Sequence, residues 1–243
     1  MSIKTSLCYS PNFSSHKRPK NKVRFLIFHY TGMKSENSSI KRLTQIQSEV
    51  SSHYLIKKNG QVLVLVPDLY IAWHAGKSSW KNFNLLNEYS LGIEITNPGH
   101  DFGYKKFTKK QISSLINLSR FLIKKFRINK RNILGHSDIS PDRKKDPGEK
   151  FPWKFLSKKN IGIWHNLDKK NLINFRNKKC NKKMKLEFLR NLYKIGYSKK
   201  SSNNIKKNKY LIFIIKAFQR HFRPELINGK IDKECLLISK NLK

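Results

Sequence analysis

The sequence predicts a mixed α/β fold: a central β-sheet flanked by helices, followed by a small C-terminal all-α module. Three observations carry this. Nearly continuous apolar runs at 23–30 and 91–96 suit buried strands, an Asn-Gly pair sits between two β-rich runs, and apolar residues recur at helical spacing between and after them.

In chain order, VRFLIFHY (Val23 to Tyr30) reads as a buried central strand that ends on His29. Ser38 or Ser39 can then cap a short helix whose apolar positions are Ile40, Leu43 and Ile46. HYLIKKNGQVLVLV, His53 to Val66, places Asn59-Gly60 between two β-rich runs, the signal of a two-residue antiparallel hairpin. A loop containing AWHAGKSSW leads to LGIEIT, Leu91 to Thr96, a second buried-type strand interrupted by Glu94. Thr108 caps a long amphipathic helix with Ile112, Leu115, Ile116, Leu122, Ile123 and Phe126 on one face. NILGH, Asn132 to His136, is a short strand that delivers a second histidine. From about Asn166 the composition turns Lys/Asn-rich, and beyond it Met184 to Tyr197 and Tyr210 to Phe222 carry helical periodicity.

The formal net charge is +37, from 52 Lys+Arg against 15 Asp+Glu. Such a balance ordinarily points to a polyanionic partner. Here the lysines run from end to end beside abundant Asn and Ile, as AT-rich codon bias produces, and no basic strand interleaved with aromatics stands out. No nucleic-acid partner is expected. Cys8, Cys180 and Cys235 are odd in number and lack short paired spacing, so neither a disulfide framework nor a cysteine zinc knuckle is indicated. The opening MSIKTSLCYSPNF has no apolar run of the secretory kind, and no stretch is long and apolar enough to be a transmembrane span. The chain reads as a soluble, leaderless monomer.

A catalytic zinc takes three His, Asp/Glu or Cys ligands and keeps one position open. His29 and His136 both end strands, and Asp138, Asp142 and Asp146 are each candidates for a third ligand; spacing does not choose among them. Two such histidines alone would more often be core or loop residues. Glu94 changes the weighing, because an ionised carboxylate in an apolar strand is costly unless it is paired or used, although strand alternation can also turn it to solvent. Together these residues make a candidate hydrolytic metal site.

The segments FHYTGM, SSHYLIKKNGQV, AWHAG, SLGIEI and GHSDISPDRKKDPGEKFPW, in that order, resemble the zinc-dependent N-acetylmuramoyl-L-alanine amidases of the type 2 family, across roughly residues 9 to 160. That family includes the AmpD and AmiD enzymes and is similar to phage lysozyme amidases and peptidoglycan recognition proteins. The resemblance implies one Zn2+ held by His29, His136 and Asp146, with Asp138 in a supporting role. It implies Glu94 as general base and proton shuttle, Lys144 as oxyanion stabiliser, and a peptidoglycan or muropeptide substrate cut between N-acetylmuramic acid and L-alanine. Trp73, His74 and Arg143 are candidate substrate contacts, with packing or surface charge as their blander readings.

The stretch AFQRHFRPELINGKID, Ala217 to Asp232, is similar to the end of a three-helix peptidoglycan-binding module, with Asn228 where Asp is usual. The expected organisation is therefore a catalytic domain at 1–165, a basic linker at 166–180 and a helical module at 181–243, either wall-binding or a structural cap. The alternative within this fold is a recognition protein that binds peptidoglycan without cutting it; such relatives usually lack a zinc ligand, and this chain lacks none. The absent leader favours the cytoplasm, whereas a wall-binding module favours the periplasm.

Overall fold

The computed structural model describes residues 4–199 and 206–243. In chain order the first half contains β1 (Thr5–Leu7), β2 (Phe13–Ser14), β3 (Phe25–Tyr30), α1 (Glu36–Thr44), β4 (Tyr54–Ile56), β5 (Val62–Val64), β6 (Ile71–Ala72), β7 (Ser79–Trp80), β8 (Phe83–Asn84) and β9 (Ser90–Ile95). Then follow α2 (Lys109–Phe126), β10 (Ile133–Gly135), α3 (His136–Ile139), α4 (Trp153–Ser157), α5 (Lys169–Ile173), α6 (Lys182–Ile195), α7 (Lys207–Phe222) and α8 (Lys233–Leu242). The main sheet has the order β1-β5-β4-β9-β3-β10. Strands β4, β9, β3 and β10 run parallel, and β5 is antiparallel to β4. The C-terminal ends of β3, β9 and β10 therefore share one edge, the place where open α/β sheets gather functional residues.

Local chemistry explains the element ends, and in two places it differs from expectation. The cap of α1 is Ser35, whose hydroxyl accepts from the Ser38 amide while Ser38 Oγ accepts from the Ser35 amide, so Ser38 is the third helical residue and not the cap. Ile46 falls beyond this helix and is exposed. The β4–β5 hairpin closes with Lys57 N donating to Gln61 O at 2.9 Å and Gly60 N to Lys57 O at 2.9 Å. Gly60 takes φ +87°, so the loop is a turn followed by a left-handed glycine, longer than the two-residue turn that Asn-Gly suggests. Thr108 caps α2 as expected, through a reciprocal pair with Gln111.

Strand alternation sorts the core into two layers. Leu26 and Phe28 of β3 and Leu91, Ile93 and Ile95 of β9 face α2, packing with Leu115, Leu118, Leu122 and Phe126. Phe25 and Ile27 face the other way, into a cluster with Trp80, Leu134, Phe188, Leu192, Phe218 and Phe222. That second cluster joins the sheet to α6, α7 and α8. The helices at 181–243 thus share a core with the sheet, and the stretch 166–180 contains α5, whose Leu172 is buried in the same cluster. Among the described residues no helix is long and apolar enough to cross a membrane.

Candidate metal centre and catalytic site

His29 is the fifth residue of β3, so it shares a face with Phe25 and Ile27. Its register partner on β9 is Glu94, which points to that same face because its neighbours Ile93 and Ile95 belong to the α2 layer. His136 opens α3, directly after β10, which pairs with β3. Asp146 comes from the turn-rich segment that follows, and its carbonyl accepts from Ser137 N at 2.8 Å. Gly135 permits this close return, since a Cβ there would lie 2.6 Å from Pro147 Cδ.

These elements bring three atoms together. His29 Nδ1 lies 2.9 Å from His136 Nδ1, and each lies 3.1 Å from Asp146 Oδ2. All three residues are buried, and they form a group able to hold a metal ion. His136 Nε2 faces the Ala75 carbonyl at 3.2 Å. A carbonyl only accepts, so a neutral His136 carries its proton on Nε2 and presents a bare Nδ1 to the centre. Burial pushes His136 down to about 4, against a partial opposing effect of Asp146, so it is neutral at pH 7. An imidazole nitrogen from each histidine and a carboxylate oxygen converging in a buried space fit a divalent cation of the zinc type.

Glu94 lies beside this group. Its side chain is partly accessible overall, yet Oε2 is sealed and has no hydrogen-bond partner among the described residues. Burial, reinforced by Asp146 and offset by His29 and Lys144, pushes Glu94 up to about 7. A carboxyl poised near neutrality at the edge of a buried donor cluster is suited to proton transfer. Lys144 is half-buried and close enough for its charge to act on both Glu94 and His136.

The model of the N-acetylmuramoyl-L-alanine amidase family matches residues 19–149, which include every one of these side chains. The chain belongs to this amidase family. It is 35% identical to the N-acetylmuramoyl-L-alanine amidase AmiD of Escherichia coli (strain K12), over 91% of this chain and 82% of that protein. It is 31% identical to the 1,6-anhydro-N-acetylmuramyl-L-alanine amidase AmpD of Haemophilus influenzae, over 61% of this chain and 88% of that one. Among solved structures, E. coli AmiD in complex with the substrate anhydro-N-acetylmuramic acid-L-Ala-D-gamma-Glu-L-Lys aligns with a TM-score of 0.78 and 34% identity, over 94% of this chain and 91% of that chain.

Within this amidase fold the other sequence candidates take different places. His74, expected at the substrate groove, is buried against His29 with His29 Nε2 and His74 Nδ1 3.0 Å apart. It lies behind His29 and away from solvent. Trp73 is half-buried, its indole N–H donating to Ser14 Oγ at 3.3 Å, which ties it to the strand β2 paired with β6. Arg143 spends its Nη2 on the carbonyls of Ala75 (2.9 Å) and Lys77 (3.1 Å), strapping the loop whose Ala75 also receives His136.

Asp138 does not join the centre. It turns back to accept from Gly135 N at 2.8 Å, and it receives Tyr197 Oη at 2.7 Å and meets His221 Nδ1 at 2.7 Å. Tyr197 and His221, both from the C-terminal helical region, were not found as site residues in the sequence. Neither was the series Tyr30 Oη to His100 Nδ1 (2.8 Å) and His100 Nε2 to Glu149 Oε2 (3.0 Å). Tyr197, His221, His100 and Glu149 are ordinary polar residues of helices, turns and loops and Tyr30 ends β3, and only the tertiary fold joins them into these contacts.

Proposed function

We propose that this chain is a zinc-dependent N-acetylmuramoyl-L-alanine amidase, hydrolysing the amide between the lactyl group of N-acetylmuramic acid and L-alanine of the stem peptide in peptidoglycan turnover or recycling. The observation that carries the reading is the convergence of His29 Nδ1, His136 Nδ1 and Asp146 Oδ2 beside a proton-poised Glu94. Both cited relatives carry amidase names, and the cited AmiD structure holds an anhydromuropeptide, which supports this substrate class and includes the anhydro sugar within it.

His29, His136 and Asp146 would hold the zinc. Once bound there, it supplies Lewis acidity that polarises an amide carbonyl and acidifies water. Glu94 accepts the proton of the attacking water and returns it to the leaving amine nitrogen, so that L-alanine departs as a neutral amine. Lys144 offers its ammonium to the oxyanion of the tetrahedral intermediate, a contact stronger in the transition state than in the substrate. A cytoplasmic address, with the periplasm as the competing one, belongs to the same proposal and is tested by fractionating cells that carry the tagged chain. A wall-binding role for the helices at 181–243 is tested by sedimentation with intact sacculi.

The direct experiment is mass spectrometry of a purified muropeptide digest with the intact chain and with His136→Ala, each with and without a chelator. Release of the free stem peptide that is lost with chelator and absent in the variant is the expected result. A folded, zinc-loaded protein that releases nothing would favour wall recognition without cleavage.

A further inference from the structure

The contacts behind His29 fix where its proton sits. Ser90 Oγ lies 2.5 Å from the Leu86 carbonyl, a separation that requires the hydroxyl hydrogen to point at that carbonyl. Its hydrogen committed, Ser90 Oγ can only accept from His74 Nε2, 3.2 Å away, so Nε2 carries a proton. The His74 ring is buried, packed edge-on against both His29 and His53. A neutral ring protonated at Nε2 is bare at Nδ1. That nitrogen faces His29 Nε2 at 3.0 Å and therefore accepts from it. His29 in turn is protonated at Nε2 and bare at Nδ1, the atom turned towards His136 and Asp146.

We propose that Ser90 and His74 form a proton-ordering relay that locks His29 in the tautomer able to bind a metal, making both positioning residues. The relay is built into the sheet. Ser90 starts β9, the strand that carries Glu94, so one strand sets both the general base and the tautomer of a ligand. Gly92, between them, leaves the space for the His74 ring: a Cβ there would stand 2.5 Å from His74 Cγ. The backbone of His74 is held as well, since His74 N and Ala75 N both donate to Asn87 Oδ1, at 3.1 and 2.7 Å. His136 reaches the same protonation pattern by a different partner, Ala75 O. Two bare Nδ1 atoms thus meet, which without ordering would be one of several tautomer combinations.

The inference rests on reading His29, His136 and Asp146 as a metal site, and its test separates the two. Zinc affinity is measured by competition with a chromophoric chelator for the parent chain, His74→Phe, His74→Asn and Ser90→Ala. Ring-nitrogen NMR on the metal-free parent at about pH 8 reports each tautomer directly. Phe keeps the ring volume but removes the acceptor, and the expected loss of affinity is about 10–100-fold. Asn restores an acceptor oxygen near the Nδ1 position and should recover affinity to within about threefold of the parent. Ser90→Ala should fall between them. NMR should show His29 and His74 protonated at Nε2. Unchanged affinity in a folded His74→Phe chain, or a proton on His74 Nδ1, overturns the relay. A parent chain that binds no zinc overturns the metal reading instead, while the metal-free spectra still judge the relay and do not depend on any variant folding.

Discussion

Tyr197 Oη donates to Asp138 Oδ1 at 2.7 Å, linking the C-terminal helices to a residue two positions beyond the candidate ligand His136. The pair is buried, and the other oxygen of Asp138 is shared between His221 and Gly135 N. Removing the phenol leaves a buried carboxylate oxygen without a donor, which costs about 2 kcal/mol. Tyr197→Phe should therefore lower the melting temperature by about 4–8 °C, measured by calorimetry. An unchanged melting temperature would show that water replaces the phenol without loss.

The same packing bears on truncation. Phe25, Ile27 and Trp80 are covered by Phe188, Leu192 and Phe218, so a chain ended at residue 165 uncovers the apolar patch these residues form on one face of the sheet. With that patch exposed it should aggregate in size-exclusion chromatography, whereas an independently folded catalytic domain would run as a monomer.

Metal removal has a thermodynamic consequence. A ligand that binds only the folded state stabilises it by RT ln(1 + [L]/Kd), about 4 kcal/mol at a thousandfold excess over Kd. Zinc at that excess should raise the melting temperature of the chelator-treated protein by about 8–15 °C, and His29→Ala should abolish the rise. Equal shifts in both proteins would place the ion elsewhere.

Much of this site is legible in the sequence, for physical reasons that differ by residue. The apolar run ending at His29 announces a buried strand, but β3 is covered on both faces, so the run alone does not say which layer His29 joins. Its pairing with Glu94 depends on the β3–β9 register, a tertiary property. Asp138 and Asp146 are both buried near His136 and look equivalent by spacing. They part because Asp138 folds back onto Gly135 N and is taken by Tyr197 and His221. The residues of AWHAG read as a loop. Ser51 and Asn87, remote in sequence, hold its backbone and turn His74 inward. Helical periodicity after 181 is plain, but periodicity does not name the surface a helix covers.

Gly92 offers a steric check. Its φ is not in the left-handed region, so alanine is conformationally tolerated there and any cost comes from the His74 ring that its Cβ would strike. Gly92→Ala should destabilise the fold by about 1–3 kcal/mol, as overpacking does. Combining it with His74→Ala should restore part of the loss, a coupling that thermal denaturation of the double-mutant cycle reads directly. Additive losses would place the strain elsewhere.

Glu94 supplies the pH dependence. Its folded-state value is raised to about 7 from an ordinary 4.5, chiefly by burial, so the metal-free fold favours the protonated carboxyl. The folded chain then binds more protons than the unfolded one between these values, and stability falls as pH rises through that window. Glu94→Gln keeps the shape and never ionises. Relative to the parent, this variant should gain on the order of 2 kcal/mol between about pH 4.5 and 7.5 and hold that gain above it. Denaturant titration of the metal-free proteins at several pH values checks this, and a constant difference would mean that Glu94 titrates normally. Turnover moves the other way. The carboxylate must be ionised to take a proton from water, so Glu94→Gln and Glu94→Ala should retain zinc yet lose about 100-fold or more in rate. Loss of the metal from a folded Glu94→Ala chain would instead assign this residue to holding the ion.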